Sequence, residues 1–250
     1  MAIKRNRHSP PIIIPEFVDM NEQVRLPGKM PSPVDGTLRQ YALRVPEAIE
    51  ECSGIIVFGR KIKSLVFSTD LAIIKNINAD AVFAVYPFTP QPIIAESLLS
   101  AADIPVFVGV GGGLTQGRRV VNLAMFAEMQ GALGVVVNSP TSGLVLTKIS
   151  RAIDIPVVVT VTEKDTDFRR RIDDGAAIFN VAAASDTPDI IKAIKDQYPD
   201  VPVIATGGPT EETIRETILA GANAITYTPP SCGELFKDSM ARYRKGLPHG

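Results

Sequence analysis

Two short stretches of the sequence end in small, turn-forming residues of the kind that bind anions. Residues 203–210 read VIATGGPT and residues 224–231 read AITYTPPS, so an apolar run precedes each turn. Bare glycine backbone can approach phosphate oxygens closely, and the helix that follows adds unpaired N–H groups and a favourable dipole. We therefore predict a phosphate site formed by Gly207, Gly208, Thr210, Thr228 and Ser231.

A purely structural interpretation competes with this prediction. The glycine pair then only makes a tight turn, and Thr210 only caps a helix. Position favours phosphate binding, because a barrel of eight parallel strands often holds phosphate after its seventh and eighth strands. Counted along the chain, the two stretches contain the seventh and eighth predicted strands.

The elements that position these loops begin at residue 64, where short apolar runs alternate with amphipathic stretches. The runs are rich in Val, Ile, Phe and Ala without strict alternation, as strands buried on both faces should be. We predict strands at 64–68, 81–86, 105–110, 133–138, 156–161, 176–181, 202–206 and 223–227. We predict helices at 71–77, 91–101, 118–130, 142–152, 166–173, 187–197, 211–219 and 233–243. Eight such units indicate an α/β fold of the (βα)8 TIM-barrel type, whereas an open doubly wound sheet would need about six strands.

Residues 1–63 precede the predicted barrel. Residues 1 to about 45 are irregular and contain many prolines, and residues 46–52 suit a short helix. The runs 54–59 and 62–68 flank Gly59-Arg60-Lys61 as a hairpin. We expect this region to cap the bottom of the barrel, with a contact between subunits as the alternative. The predicted organisation is an N-terminal arm, a short helix and the start of a capping hairpin over 1–63, and a barrel over 64–250.

Three ionisable side chains at predicted strand ends are candidate catalytic proton carriers: Asp70, Glu163 and Lys164. Asp70 suits a general base, but it directly precedes a predicted helix, and a helix cap is the favoured interpretation. A Schiff-base aldolase needs a desolvated, neutral lysine. Lys164 lies between two acidic residues beyond its strand, so aldolase chemistry of that class is disfavoured.

Uncharged polar residues and glycines complete the predicted mouth of the barrel. Asn138 and Asn180 close apolar strands, which favours hydrogen bonding to a substrate over a bond to a neighbouring loop. The glycines at 111–113 serve a close approach or a mobile loop, and their spacing does not fit a dinucleotide fingerprint. Arg118, at a helix start, suits a carboxylate or phosphate partner, and a solvated surface charge is equally favoured. The predicted substrate-binding residues are Tyr86, Asn138, Asn180, Gly111, Gly112 and Arg118.

Composition excludes several other classes of protein. The formal net charge of -1 argues against a nucleic-acid or anionic-membrane surface, and no apolar run is long enough to span a membrane. His8 and His249 are the only histidines and lie in the tails, so the barrel has no His-based metal site and no Ser/His/Asp catalysis. Cys52 and Cys232 are far apart and read as free thiols. No dense acidic cluster supports a carboxylate-held Mg²⁺. We predict a cytoplasmic protein without a metal site.

Residues 200–231, with Pro202–Thr210 followed by Ala220-Gly221-Ala222-Asn223-Ala224-Ile225, resemble the closing half of the ribulose-phosphate-binding barrels. That group includes the ketodeoxyphosphogluconate aldolases, thiamine phosphate synthase and the thiazole synthases. The likeness over 64–200 is architectural. The whole chain also resembles bacterial barrel proteins that are loosely labelled hydrolases, a label that carries no mechanism.

The residues and the resemblance together predict an enzyme that acts on a small phosphorylated metabolite, as a lyase or isomerase in preference to a hydrolase. One alternative is an FMN-dependent oxidoreductase, since such barrels hold the flavin phosphate at the same two loops. Another is a non-catalytic, metabolite-binding barrel. We also expect a homo-oligomer, because an irregular arm of some 45 residues is a natural contact element.

Overall fold

The structure, a computed structural model, describes residues 43–246 and shows the predicted closed barrel. A short antiparallel pair comes first: β1 (Ile55–Val57) and β2 (Arg60–Ile62). The parallel strands that follow are β3 (Ser64–Val66), β4 (Ala81–Ala84), β5 (Val106–Gly111), β6 (Gly134–Val137), β7 (Val157–Val161), β8 (Ile178–Val181), β9 (Val203–Thr206) and β10 (Ala224–Tyr227). They pair in chain order, and β10 pairs with β3 to close the ring. Most of the predicted N-terminal arm and both histidines lie outside the described residues.

Helices follow the barrel strands close to the predicted positions. They are α1 (Leu71–Lys75), α2 (Pro92–Ala101), α3 (Arg118–Met129), α4 (Gly143–Ser150), α5 (Phe168–Asp173), α6 (Thr187–Gln197), α7 (Glu211–Leu219) and α8 (Cys232–Arg244), with 3₁₀ turns at Glu47–Glu51 and Ala184–Asp186. Asp70 caps α1, since its Oδ1 accepts hydrogen bonds from the Ala72 and Ile73 N–H groups at 2.9 and 3.3 Å. None of the helices between residues 43 and 246 combines the length and apolar character that a membrane crossing requires.

The hairpin before the barrel is shorter than the sequence predicts. Its turn is Phe58-Gly59, not Gly59-Arg60-Lys61, with φ of 47° and 77°. Positive φ at both positions gives a turn whose twist matches the flanking strands. A bulky residue rarely adopts this conformation, so Phe58 carries no turn signal in the sequence. The second hairpin strand therefore ends at Ile62, and residues 64–66 belong to the barrel.

The hairpin closes the end of the barrel at which the parallel strands begin. Its contact with the barrel includes a hydrogen bond from the Gly54 N–H to the carbonyl of Asn223, just before β10, at 2.9 Å. Its buried side chains Ile55, Val57 and Ile62 pack in one cluster with the inward-facing side chains of the barrel. That cluster includes Leu65, Ala81, Phe83, Phe107, Val136, Val158, Ile178, Ile204 and Ala224. The predicted capping hairpin is confirmed.

Two isoleucines of this hairpin test the cap. Ile62 is 1% exposed inside the barrel, whereas Ile56 is 75% exposed on the outer face of the same hairpin. We expect Ile62→Ala to lower the free energy of unfolding by about 2–5 kcal/mol through lost burial and a cavity. The control Ile56→Ala should change it by less than about 0.5 kcal/mol. Urea denaturation followed by circular dichroism measures both, and equal effects would show that the hairpin is not part of the core.

Candidate functional site

The mouth of the barrel, at the carboxyl ends of the strands, is lined by a ring of side chains that carry no charge. Along a strand every second side chain points to the same face, so the residues two positions beyond the interior cluster point into the mouth. This mouth ring consists of Phe67, Val85, Gly109, Asn138, Thr160, Asn180, Thr206 and Thr226. Its three apolar residues lie at the ends of β3 to β5, and its five polar residues follow around the barrel from Asn138 to Thr226.

Four neighbouring strands, β7 to β10, supply what we call the polar quadrant: Thr160, Asn180, Thr206 and Thr226. Asn180 Nδ2 donates to Thr160 Oγ1 at a long 3.4 Å. Thr226 Oγ1 lies 3.3 Å from the carbonyl oxygen of Ala205 and 3.4 Å from Thr206 Oγ1. Asn180 Oδ1 is buried and has no hydrogen-bond partner among the described residues. An unsatisfied buried acceptor costs about 1–3 kcal/mol, so this atom suits a donor brought by a ligand.

The opposite side of the mouth is apolar and aromatic. The rings of Phe67 and Phe83 lie 6.2 Å apart, and those of Phe83 and Phe107 lie 6.5 Å apart. A Cβ on Gly109 would lie 3.2 Å from the Ala84 carbonyl oxygen, so glycine lets the strands approach here. A cavity of about 240 Å³ opens beside Gly109, and its lining includes Val85, Tyr86, Phe88, Gly111, Leu114 and Asn138. The structure thus brings three predicted substrate-binding residues, Tyr86, Gly111 and Asn138, into one cavity.

The triple-glycine loop is packed tightly against its neighbour. Gly112 has a φ of +101°, and a Cβ there would lie 1.8 Å from Thr141 Oγ1, so no side chain fits. The loop therefore serves a close approach between the β5 and β6 ends, one of the two roles predicted for it. Tyr86 is also braced, because its hydroxyl accepts from the Gln91 N–H at 2.9 Å. Arg118 is exposed at the start of α3 and does not line the cavity.

The glycine pair after β9 borders a second opening. A groove of about 540 Å³ lies between this loop and the loop after β8, and its lining includes Ala184, Ser185, Thr187, Thr206, Gly207, Gly208 and Thr213. Gly208 has a φ of +82°, and a Cβ there would lie 2.6 Å from Thr213 Oγ1. Thr206 belongs both to this groove and to the polar quadrant, so the two regions share one residue. Thr228 and Ser231 do not line the groove.

Carboxylates of the chain itself occupy both helix starts at which phosphate is predicted. Thr210 caps α7 and Ser231 caps α8. Hydrogen bonds from the Glu212 N–H and the Thr210 side chain lower the pKa of Glu212. The Glu234 carboxylate accepts from Ser231 Oγ and the Ser231 N–H at 2.7 and 2.8 Å. A phosphate arriving at either helix has to displace one of these carboxylates.

Asp70 meets a residue that the sequence does not connect with it. Strands β3 and β10 are adjacent, which places Asp70 beside the Cys232 thiol at the start of α8. A hydrogen bond with Cys232, followed by those of the α1 N–H groups, lowers the pKa of Asp70. The same contact raises the pKa of Cys232. Asp70 is therefore ionised at neutral pH and Cys232 is held as the thiol.

The other two predicted catalytic residues point away from Asp70. Lys164 lies 3.1 Å from an Asp189 oxygen and 3.2 Å from an Asp186 oxygen, and these carboxylates raise its pKa. A protonated, solvent-exposed lysine is not a nucleophile. Glu163 is exposed and lines a separate cleft of about 650 Å³ next to α5. The structure does not bring the three residues together.

Sequence reasoning named Asn180 but missed Thr160, Thr206 and Thr226. In four successive strands, a polar residue stands two positions after a buried apolar one. The pairs are Val158 and Thr160, Ile178 and Asn180, Ile204 and Thr206, and Ala224 and Thr226. That repeated offset is visible in the sequence once the inward register is known. The contact of Asp70 with Cys232 left no comparable signal, because it depends on closure of the barrel.

Thiol labelling tests the contact between Asp70 and Cys232. Burial raises the pKa of Cys52 to about 12, so Cys232 alone should react with iodoacetamide in the folded protein. Asp70→Asn removes a negative charge but keeps a helix-capping side chain, so it should lower the pKa of Cys232 and speed labelling at pH 8. Asp167→Asn, at the cap of α5, is the matched control and should leave the rate unchanged. Identical labelling profiles for Asp70→Asn and the wild type would contradict the contact.

No family model matches the sequence, and no curated protein is similar to it. Solved structures of barrel enzymes share its fold. A phosphonopyruvate hydrolase in complex with oxalate and Mg²⁺ is 14% identical, with 80% of this chain and 86% of that chain covered and a TM-score of 0.57. A phosphoenolpyruvate phosphomutase from Streptomyces platensis subsp. rosaceus is also 14% identical, with the same 80% and 86% coverage and a TM-score of 0.57. A 2,3-dimethylmalate lyase, a member of the PEP mutase/isocitrate lyase superfamily, is 14% identical, with 81% and 87% covered and a TM-score of 0.53.

At this identity the similarity establishes the fold alone. It does not single out the ribulose-phosphate-binding type that the closing half of the sequence resembles. The Mg²⁺ of the hydrolase complex has no counterpart in the chemistry of this mouth. The mouth ring has no carboxylate, and residues 43–246 contain no group of three or more His, Cys, Asp or Glu side chains suited to a metal ion.

Proposed function

We propose that this chain is an enzyme that acts on a small phosphorylated metabolite. The observation that carries the proposal is the polar quadrant, in which Asn180 Oδ1 is buried at the barrel mouth without a partner in the described protein. Barrels of this type keep their ligands at this end, and a few convergent polar groups beside apolar walls are typical of such sites. The fold neighbours support a phosphorylated ligand, because they include enzymes named for phosphonopyruvate and phosphoenolpyruvate.

We assign the phosphate to the loop after β9. Gly207 and Gly208 border a groove that shares Thr206 with the polar quadrant. The first turn of α7 adds N–H groups that an anion favours. Glu212 is exposed, so it can swing aside when phosphate arrives. Ser231 is held by hydrogen bonds to Glu234 and, like Thr228, does not line the groove, so this proposal leaves both residues out of the phosphate site.

Lyase or isomerase chemistry fits the mouth better than hydrolysis. A lyase or isomerase needs a base that moves a proton between atoms of the substrate, whereas a hydrolase must also bind and orient a water molecule, for which the mouth ring offers no charged side chain. The site is built to orient a ligand, and orientation alone lowers a reaction barrier substantially. We assign proton transfer to Asp70, which is ionised as a base must be, with the neutral Cys232 thiol as its partner. Glu163 and Lys164 stay outside this assignment because they face α5 and α6.

Thermal shift with phosphate, sulfate and glycerol 3-phosphate tests the phosphate site. A ligand at 100 times its Kd stabilises the folded state by about 2.7 kcal/mol, which raises the melting temperature by several degrees. Gly208→Asp should abolish this shift by placing a negative charge in the loop. Gly208→Ala is the control, because it shares the backbone strain and the contact with Thr213 but adds no charge. It should therefore keep part of the shift.

Glu212→Gln gives an independent check of the same site. It removes the carboxylate that competes for the α7 N–H groups, so it should tighten phosphate binding and enlarge the shift. Glu96→Gln on α2 makes the same charge change elsewhere and should leave the shift unchanged. A wild-type protein whose melting temperature no anion raises would refute the phosphate site.

A further inference from the structure

One hydrogen-bond acceptor of the polar quadrant, Asn180 Oδ1, has no donor in the described protein, and its chemistry indicates which group a ligand must supply. Asn180 is 6% exposed, and its strand pairs with β7 on one side and β9 on the other. The backbone is therefore fixed, and the register of β8 turns the Asn180 side chain to the same inner face of the barrel as Ile178. Its Nδ2 has Thr160 as a partner, whereas its Oδ1 has none in the described protein. Folded chains keep a destabilising group of this kind where ligand binding requires it.

Few chemical groups can serve as the donor to Asn180 Oδ1. An amide oxygen only accepts hydrogen bonds, so the ligand must present an O–H or N–H group to it. None of the eight residues of the mouth ring is charged. An ammonium or a carboxylate would lose its hydration there without a counter-charge. A neutral hydroxyl meets both conditions.

The surroundings of Asn180 suit a hydroxylated carbon chain. Thr160, Thr206 and Thr226 add hydroxyls that both donate and accept, so further ligand hydroxyls find partners next to the first. Across the mouth, Phe67 and Val85 present apolar surface to the carbon skeleton. One side of the ligand is therefore hydrogen-bonded and the other packs on hydrocarbon, the arrangement by which a site recognises a polyhydroxylated molecule.

We propose that Asn180 is a specificity-determining residue and that its Oδ1 accepts a hydrogen bond from a free hydroxyl at the end of the substrate opposite the phosphate. This inference rests on the proposed function, because the phosphate in the loop after β9 decides which end of the substrate reaches the mouth ring. Phosphonopyruvate and phosphoenolpyruvate, after which fold neighbours are named, carry a carboxylate. The mouth ring has no counter-charge for that group. The substrate class is a phosphate ester of a hydroxylated carbon chain.

Calorimetric titration with three related probes tests this inference. Glycerol 3-phosphate carries the hydroxyls, n-propyl phosphate replaces them with hydrogen, and 3-phosphoglycerate places a carboxylate at the far end. A site that hydrogen-bonds a hydroxyl discriminates against the analogue that lacks it, so glycerol 3-phosphate should bind at least about tenfold more tightly than n-propyl phosphate. It should also bind more tightly than 3-phosphoglycerate.

Asn180→Leu removes the acceptor while keeping a side chain of similar size. The preference for glycerol 3-phosphate over n-propyl phosphate should fall to within about twofold in this variant. The ligand-free variant should unfold at a higher temperature than the wild type, because a buried group without a partner is replaced by hydrocarbon. A purely structural asparagine would give a lower unfolding temperature instead. Asn122→Leu, at an exposed position of α3, is the control and should leave the preference intact.

The possible outcomes separate this inference from the proposed function. Equal binding of glycerol 3-phosphate and n-propyl phosphate by the wild type overturns the inference and leaves the phosphate site standing. Preference for 3-phosphoglycerate also overturns it. Binding of unphosphorylated ribitol, lost in Asn180→Leu, without binding of any phosphate ester supports only the hydroxyl contact at Asn180 and refutes both the phosphate-ester substrate class and the proposed function. Binding of none of these probes refutes both.

Discussion

Filling of the barrel interior is the constraint on which the other features depend. Parallel strands with two buried faces need packing partners on the inside as well as under the helices. Here large and small side chains alternate across the interior. The Phe107 ring occupies space that Gly134 leaves free, since a Cβ on that glycine would lie 2.7 Å from the ring. The β1–β2 hairpin fills the remaining space at the bottom with Ile55, Val57 and Ile62.

Above the packed interior, the mouth has an apolar side and a polar side, and its ionisable groups lie outside both. Aromatic and glycine positions on β3 to β5 lead to an apolar wall, while β7 to β10 change from aliphatic residues to threonine and asparagine at the same height. Ionisable groups are kept at the rim, where Asp70 contacts Cys232 and Lys164 pairs with Asp186 and Asp189. A neutral interior avoids the cost of burying charge, and it leaves recognition to hydrogen bonds and shape.

Much of this architecture can be predicted from the sequence because it is written in local patterns. Apolar runs and amphipathic stretches locate the barrel strands and helices, and Asp70 before Leu71-Ala72-Ile73 marks a cap. The hairpin turn escaped prediction because Phe58 adopts a positive φ that only the tertiary structure imposes. Asn180 was predicted from its strand end, whereas its threonine neighbours require the inward register. Asp70 and Cys232 meet only through closure of β3 on β10, which no local pattern encodes.

The hairpin also limits access to the barrel to one end. Because side chains fill the interior and the hairpin covers its lower end, the barrel opens only at the mouth and is not a channel. A ligand that enters at the carboxyl ends of the strands has to leave through the same opening. If the chain acts as the proposed enzyme, a product bound in this mouth has to leave before the next substrate molecule binds. Such an enclosure makes the residence time of the product, as much as the chemical step, a property that natural selection has to tune through the loops around the opening.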